Sequence, residues 1–155
     1  MILDELLEFA DATSVAAAAG TALIGDVIDL QEARDIGNGE PMYLVIQVDT
    51  AIITASAAGT VKFQLASDAS AAIATNGTAT VHYDTGTIAT GAAGAGLTAA
   101  GATIAAIALP MEGNVYERYL GILCVTATTT TTAGAINAFL TKDVSKWKAY
   151  PDGAN

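Results

Sequence analysis

One histidine, one cysteine and sixteen carboxylates are the groups with which this chain could do chemistry near neutral pH, and their spacing decides which. His82 lies between Val81 and Tyr83 in an alternating segment. That is the setting of a structural or exposed strand histidine rather than of a general base, which needs a partner within hydrogen-bond reach. Cys124 lies between Leu123 and Val125, so a buried, inert thiol is expected, and as the lone cysteine it forms no intramolecular disulfide. A Cys124/His82 nucleophile pair has no support in the local sequence, and no Gly-x-Ser-x-Gly elbow occurs. Gly94-Ala95-Gly96 has Ala99 where a dinucleotide fingerprint needs its third glycine, and no lysine follows it as in a phosphate loop. One Cys and one His exclude ordinary zinc sites, and the acids lack the Asp-x-Asp-x-Asp-Gly ladder of a calcium loop, which leaves an irregular calcium site as the only open metal alternative. No catalytic residue, cofactor or metal ligand is therefore expected. Flat rings could instead bind a sugar, and Tyr116, Tyr119, Trp147 and Tyr150 are the candidates, although Tyr119 falls inside a strand pattern.

Charge narrows the partners further. The net charge is −10, with only six Lys and Arg, too few for the basic footprint that grips phosphates, so neither nucleic acid nor anionic membrane is expected as a partner. Most of the acids fall between Asp4 and Glu40, where Arg34 is the only base, whereas Lys142, Lys146 and Lys148 gather near the end. Such opposite termini are read first as solvated faces and second as docking surfaces for a charged partner. From Thr85 to Met111 no residue is charged, yet the run is mainly Gly, Ala and Thr, which makes it a glycine-rich loop and a strand rather than a spanning helix. The start Met1-Ile2-Leu3-Asp4-Glu5 lacks the positive region of a secretory signal, so synthesis in a cytoplasm is expected.

The elements that must position these groups are strands. At 155 residues one domain over 1–155 is expected, rich in Ala, Val, Ile, Gly and Thr. Met42 to Asp49 is nearly continuous apolar sequence, the pattern of a central strand covered on both faces. Val61, Phe63 and Leu65 alternate with Lys62, Gln64 and Ala66, which turns Lys62 and Gln64 outward. Thr78 to Asp84 and Ala102 to Leu109 read as further strands. Arg118 to Thr126 and Gly134 to Thr141 read as a long hairpin across the Thr128 to Thr132 tract. Val27-Ile28-Asp29-Leu30 fits either a strand or a short helix, and Asp26, Asp29, Glu32 and Asp35 recur every third residue on what is read as a wet surface. Leu3, Leu6, Leu7 and Phe9 have near-helical spacing in a segment too short to stand alone, so an N-terminal arm over 1–12 must dock on something, as must a C-terminal tail over 143–155. Gly37, Asn38, Gly39 and Pro41 form a structural turn: Asn-Gly tolerates positive φ, and Pro41 fixes φ where a strand begins. The sum is an all-β fold, a jelly-roll-type antiparallel β-sandwich.

The Met1-Ile2-Leu3-Asp4 opening, the Asp35 to Pro41 turn, the Met42 to Asp49 strand, Leu109-Pro110 and Glu117-Arg118-Tyr119-Leu120 together resemble the capsid cement, or decoration, proteins of tailed bacteriophages. The resemblance implies a non-enzymatic jelly roll that oligomerises, as a homodimer or homotrimer, on the outer surface of an icosahedral head and bridges neighbouring major capsid protein subunits. In that setting Ile2, Leu3, Leu6, Leu7 and Phe9 of the arm and Trp147, Lys148 and Tyr150 of the tail are the candidate contacts with the shell or with other copies. Equally, both segments could fold back over open sandwich edges. The alternative function is a carbohydrate- or receptor-binding β-sandwich module of a phage or bacterial surface.

Overall fold

Alternation of large apolar and polar residues carries most of the chain into strands, and the computed structural model describes residues 4–36, 39–91, 94–111 and 113–144. A 3-10 turn at Glu5–Leu7 leads into β1 (Glu8–Ser14), followed by β2 (Gly20–Asp29), β3 (Tyr43–Thr54), β4 (Thr60–Asp68), β5 (Thr80–Asp84) and the two-residue β6 (Ile88–Ala89). A second 3-10 turn, Gly96–Thr98, precedes β7 (Thr103–Ala108), β8 (Tyr119–Ala127) and β9 (Thr131–Thr141). Sheet one has the order β1-β9-β3-β7; sheet two has the order β2-β8-β4-β5, with β6 also on β4. All pairings are antiparallel. The chain changes sheet at almost every connection, which is the jelly-roll path expected from the sequence.

The two inner faces supply the core. From sheet one come Phe9, Leu44, Ile46, Val48, Ile136, Ala138 and Leu140; from sheet two come Ile24, Ile28, Val61, Phe63, Leu65, Leu120, Ile122 and Cys124. Each fully buried large side chain contributes about 1.5–3 kcal/mol. On β4 the expected phase holds, with Val61, Phe63 and Leu65 inward and Lys62 and Gln64 outward, where both donate to Asp84 Oδ2 of β5 at 2.9 and 2.7 Å. β3 is buried on both faces from Leu44 to Val48, because it lies between β9 and β7 and its outward Val45 stands opposite the buried Phe139.

A second, smaller apolar cluster lies on the outer face of sheet two. The connection from β4 to β5 folds back so that Ile73 covers Ala66 and Leu123, with Leu23, Val27 and Ala79 around it. Asp68 pins this flap by accepting from the Ser70 and Ala74 amides, both at 3.0 Å. Gly121 leaves the room that Ile73 occupies, since a Cβ there would stand 2.6 Å from Ile73 Cδ1.

Two local expectations change, and one open alternative is decided. β8 and β9 are not a hairpin: β8 pairs with β2 and β4, whereas β9 pairs with β1 and β3, so the threonine tract crosses between sheets. The amides and carbonyls that a hairpin would have paired go elsewhere: Thr131 and Ala17 exchange backbone bonds at 2.9 and 3.1 Å, and Ala55 N–H donates to Thr130 O at 2.9 Å. The near-helical N-terminal spacing yields only the turn Glu5–Leu7, capped by Asp4, because pairing with β9 draws Glu8 onward into an extended strand. The ambiguous Val27–Asp29 stretch is the end of β2, paired with Leu120 and Tyr119 of β8.

At Gly25 (φ +66) the β2 strand bulges, and the missing side chain lets the Phe9 carbonyl approach; a Cβ would collide with that oxygen. Gly25→Ala therefore adds left-handed strain to a backbone clash. It is expected to destabilise the fold by roughly 3 kcal/mol in urea unfolding, whereas Gly77→Ala, which meets nothing within 4 Å, serves as the positive-φ control.

Candidate functional site

The two ends of the sandwich are differently built. At one end lie the connections 15–19, 55–59, 85–102 and 128–130. There the threonines close on themselves: Thr54 and Thr90 share a hydrogen bond, the Thr90 hydroxyl donates to Gly59 O at 2.8 Å, and the Thr98 hydroxyl donates to Ala95 O at 2.9 Å. Thr90 and Thr98, on either side of the glycine-rich run, are thus buried and hydrogen-bonded. Gly94 sits against Ala51 and Ile52 and presents no anion cradle.

The other end gathers the start of β1, the connections 30–42, 69–79 and 109–118, and the end of β9. Leu6, in the turn before β1, is 79% exposed; Met111 and Val115, in the connection before β8, are 45% and 54% exposed. Gly39, with φ +91, and Pro41 line a recess of about 290 Å³ together with Met42, Ala108, Leu109 and Met111. Lys142, just past β9, reaches Glu40 Oε2 at 2.6 Å and ties the strand's end to that turn. Arg118 grips Asp29 with two parallel hydrogen bonds of 2.8 Å, which hold the Asp29 carboxyl down at about 2.

His82 belongs to this end as a clamp. Its Nε2 lies 2.7 Å from Ser67 Oγ, and its ring stacks on Tyr116 with centroids 3.9 Å apart. Ser67 Oγ also accepts from the Glu117 amide at 3.0 Å, so this one hydroxyl ties β5 to the connection before β8. The pair superficially looks like a nucleophile and base. Ser67, however, has 0% exposure, and among the described residues no hydrogen bond holds His82 Nδ1. Tyr116 is likewise buried, its hydroxyl donating to Pro110 O at 2.9 Å, so it offers no face to a sugar. Tyr119 is half-buried beneath the Arg118 guanidinium, 4.9 Å from its centroid. Cys124 is buried, and desolvation pushes its thiol up to about 11, which fits the inert thiol read from the sequence.

An open acidic groove runs between β1 and β2 past Glu5, Glu8 and Asp26. Burial first, then Asp11 and Glu5, raise the Glu8 carboxyl above its usual range. Among the described residues no three His, Cys, Asp or Glu side chains converge in a metal-binding group, and no helix is long and apolar enough to cross a membrane.

Of the residues singled out in the sequence, Leu6 projects outward, Leu7 packs partly on the core, and Phe9 is 1% exposed. The Phe9 ring therefore fills its own chain's core, because β1 turns it inward; this corrects its placement among the outward contacts. Ile2, Leu3, Gly37, Asn38, Trp147, Lys148 and Tyr150 lie outside the described residues. Met111 and Val115 were not singled out, although large apolar residues flanking Gly113 and outside any period were a legible signal. The Ser67, His82 and Tyr116 cluster had no linear signal, since its members come from three distant segments.

Fold and site together define a jelly-roll β-sandwich protein with Leu6, Met111 and Val115 exposed at one loop end. Residues 9–140 match the family model described as Bbp16, and the chain belongs to that family. No curated protein matches it.

His82 gives the site a pH signature. Desolvation lowers its pKa below the ordinary histidine value of 6.5, against the opposing pull of Glu117 and Asp35. The folded state then binds fewer protons than the unfolded chain, so this contribution is complete above pH 6.5 and lost as pH falls through the lower folded pKa. Urea midpoints are expected to drop on acidification through that window, and His82→Gln is expected to flatten the drop while lowering the midpoint at neutral pH.

Proposed function

We propose that this protein is a virion structural protein that binds the outer surface of an icosahedral phage head. It cements neighbouring major capsid protein subunits against the pressure of packaged DNA. The observation that carries the reading is the placement of exposed apolar side chains, Leu6, Met111 and Val115, at one end of a jelly roll, where Met111 shares a recess with Gly39 and Pro41. Exposed large apolar groups gathered on a surface mark interaction rather than solvent. The order of motifs that resembles capsid cement proteins, and a rigid fold that does not depend on a reactive group, support the same reading.

Such a protein works by adding interface across subunit boundaries. Each copy binds modestly, and simultaneous contact with several shell subunits amplifies the whole by roughly 10²- to 10⁴-fold when the geometry matches. The acidic groove between β1 and β2 supplies electrostatic selectivity: it disfavours acidic surfaces and favours basic ones. Copies associate with one another as well as with the shell, and the protein is made in the host cytoplasm before it joins the head.

The reading is tested by co-sedimentation with cement-free heads and by the temperature at which the heads release DNA. Saturable binding at a fixed ratio to the major capsid protein, with a higher release temperature, is expected. The double change Leu6→Asp, Met111→Asp touches exposed side chains, so it should leave unfolding nearly unchanged while weakening head binding about tenfold or more. Absence of binding by the wild type would remove the cement role, and glycan binding in its place would install the sugar-binding module.

A further inference from the structure

A four-stranded and a five-stranded antiparallel sheet expose four edges, β1, β7, β2 and β5 with β6, and three of them carry charge. β1 carries Glu8 and Asp11, the positive-φ Ala12 and two register shifts against β9. β2 carries Asp26 and its bulge at Gly25, and the two strands pack on one another where Gly25 meets the Phe9 carbonyl. β5 is five residues long and holds His82 and Asp84. Charges, bulges and short length are the devices that keep an edge from pairing with another chain.

β7 is six residues long and has one register shift, between Thr103 and Ala105, but it differs from the other three in carrying no charged residue. Its sequence, Thr103-Ile104-Ala105-Ala106-Ile107-Ala108, contains no charge and no proline, and it pairs regularly with β3 from Tyr43↔Ala108 to Ile46↔Ala105. Leu109 N–H donates to Met42 O at 2.8 Å, which sets the phase of the ladder. Hydrogen-bonded pairs alternate along an antiparallel ladder, so Ile107 and Ala105 bond inward to β3, and Ala106 and Ala108 turn their N–H and C=O groups to the open side. Both alanines are exposed, and among the described residues no strand pairs with that side.

We infer that β7 is a self-association edge. A second copy of this chain adds its own β7 antiparallel across a twofold axis, which joins two four-stranded sheets into one of eight strands. The inference deepens the proposed self-association by naming the edge it uses.

Charge selects a second copy as the occupant. Two chains of net charge −10 repel over most approaches, but β7 and the run from Thr85 to Met111 that contains it carry no charge of their own. An antiparallel edge is also complementary to itself in donors and acceptors, the requirement of a twofold interface. Leu97, in the turn packed beside β7, and Met111, beyond its end, are exposed large apolar groups that the same approach would cover.

Sedimentation equilibrium and amide hydrogen exchange on the full chain test this. Expected are a wild-type dimer with slowed exchange at Ala106 and Ala108, and monomers with unchanged far-UV circular dichroism for Ala106→Pro. Proline there removes only an outward N–H, and Ala106→Lys, which keeps that N–H but places a charge at the axis, is the second variant should proline impair folding. A monomeric wild type overturns the inference, as does a dimer that Ala106→Lys retains. A monomer with protected Ala106 and Ala108 amides overturns it too, by showing the edge covered within one chain. Head co-sedimentation reports separately: a dimer that ignores heads removes the cement reading and leaves the edge assignment standing.

Discussion

The antiparallel pairing of β3 with β9 is the constraint on which the rest of the structure depends. It runs from Tyr43↔Thr141 to Thr54↔Thr131 and joins the third strand to the last. β1 and β7 attach to its two sides, so sheet one exists only once this long-range ladder has formed. Closing so large a loop is entropically costly, and the return comes from burying Leu44, Ile46, Val48, Ile136, Ala138 and Leu140 against sheet two. The same pairing brings the end of β9 to the Glu40 turn through Lys142, and with it the start of β1 to the same end of the sandwich.

That geometry divides labour between the two ends. One is sealed by threonine hydroxyls that satisfy backbone carbonyls, a local economy suited to short crossings between sheets. The other carries longer connections, held by polar clamps: Asp29 with Arg118, Asp68 with its flap amides, and Ser67 with His82 and Glu117. Because these clamps, with Leu30, Ile73, Leu109 and Tyr116 buried beneath them, already hold the loops, Leu6, Met111 and Val115 can remain outward without cost to the interior. Rigid loops bearing exposed apolar groups are what a protein needs if its task is contact.

Much of the fold was legible in the sequence where burial alone decides the pattern. β3, β4 and β7 follow from apolar runs and alternation bounded by Gly and Pro, and Cys124 follows from its apolar neighbours. The misread β8–β9 hairpin shows where legibility stops, since a threonine tract favours extended backbone equally well whether the next strand returns beside its predecessor or crosses to the opposite sheet. Phe9 teaches the same lesson: helical spacing over a few residues lost to the hydrogen bonds that β9 offers, and the ring turned into the core. The site was legible only in part, through Leu6 and the Gly39 to Pro41 turn.

By itself, then, the sequence determined the class and the phase of the strands: few charges, many β-branched and small residues, and period-two burial leave a sandwich as the way to hide so much apolar surface. It also determined the charge that disfavours phosphate-bearing partners. Only the tertiary structure decided which strands neighbour one another, which edge strand carries no charge, and which distant residues meet, as Ser67, His82 and Tyr116 do. The reason is physical: burial is a property of each residue's own surroundings and is written into local patterning, whereas pairing is a choice among partners of nearly equal local propensity, settled by the packing of the whole chain.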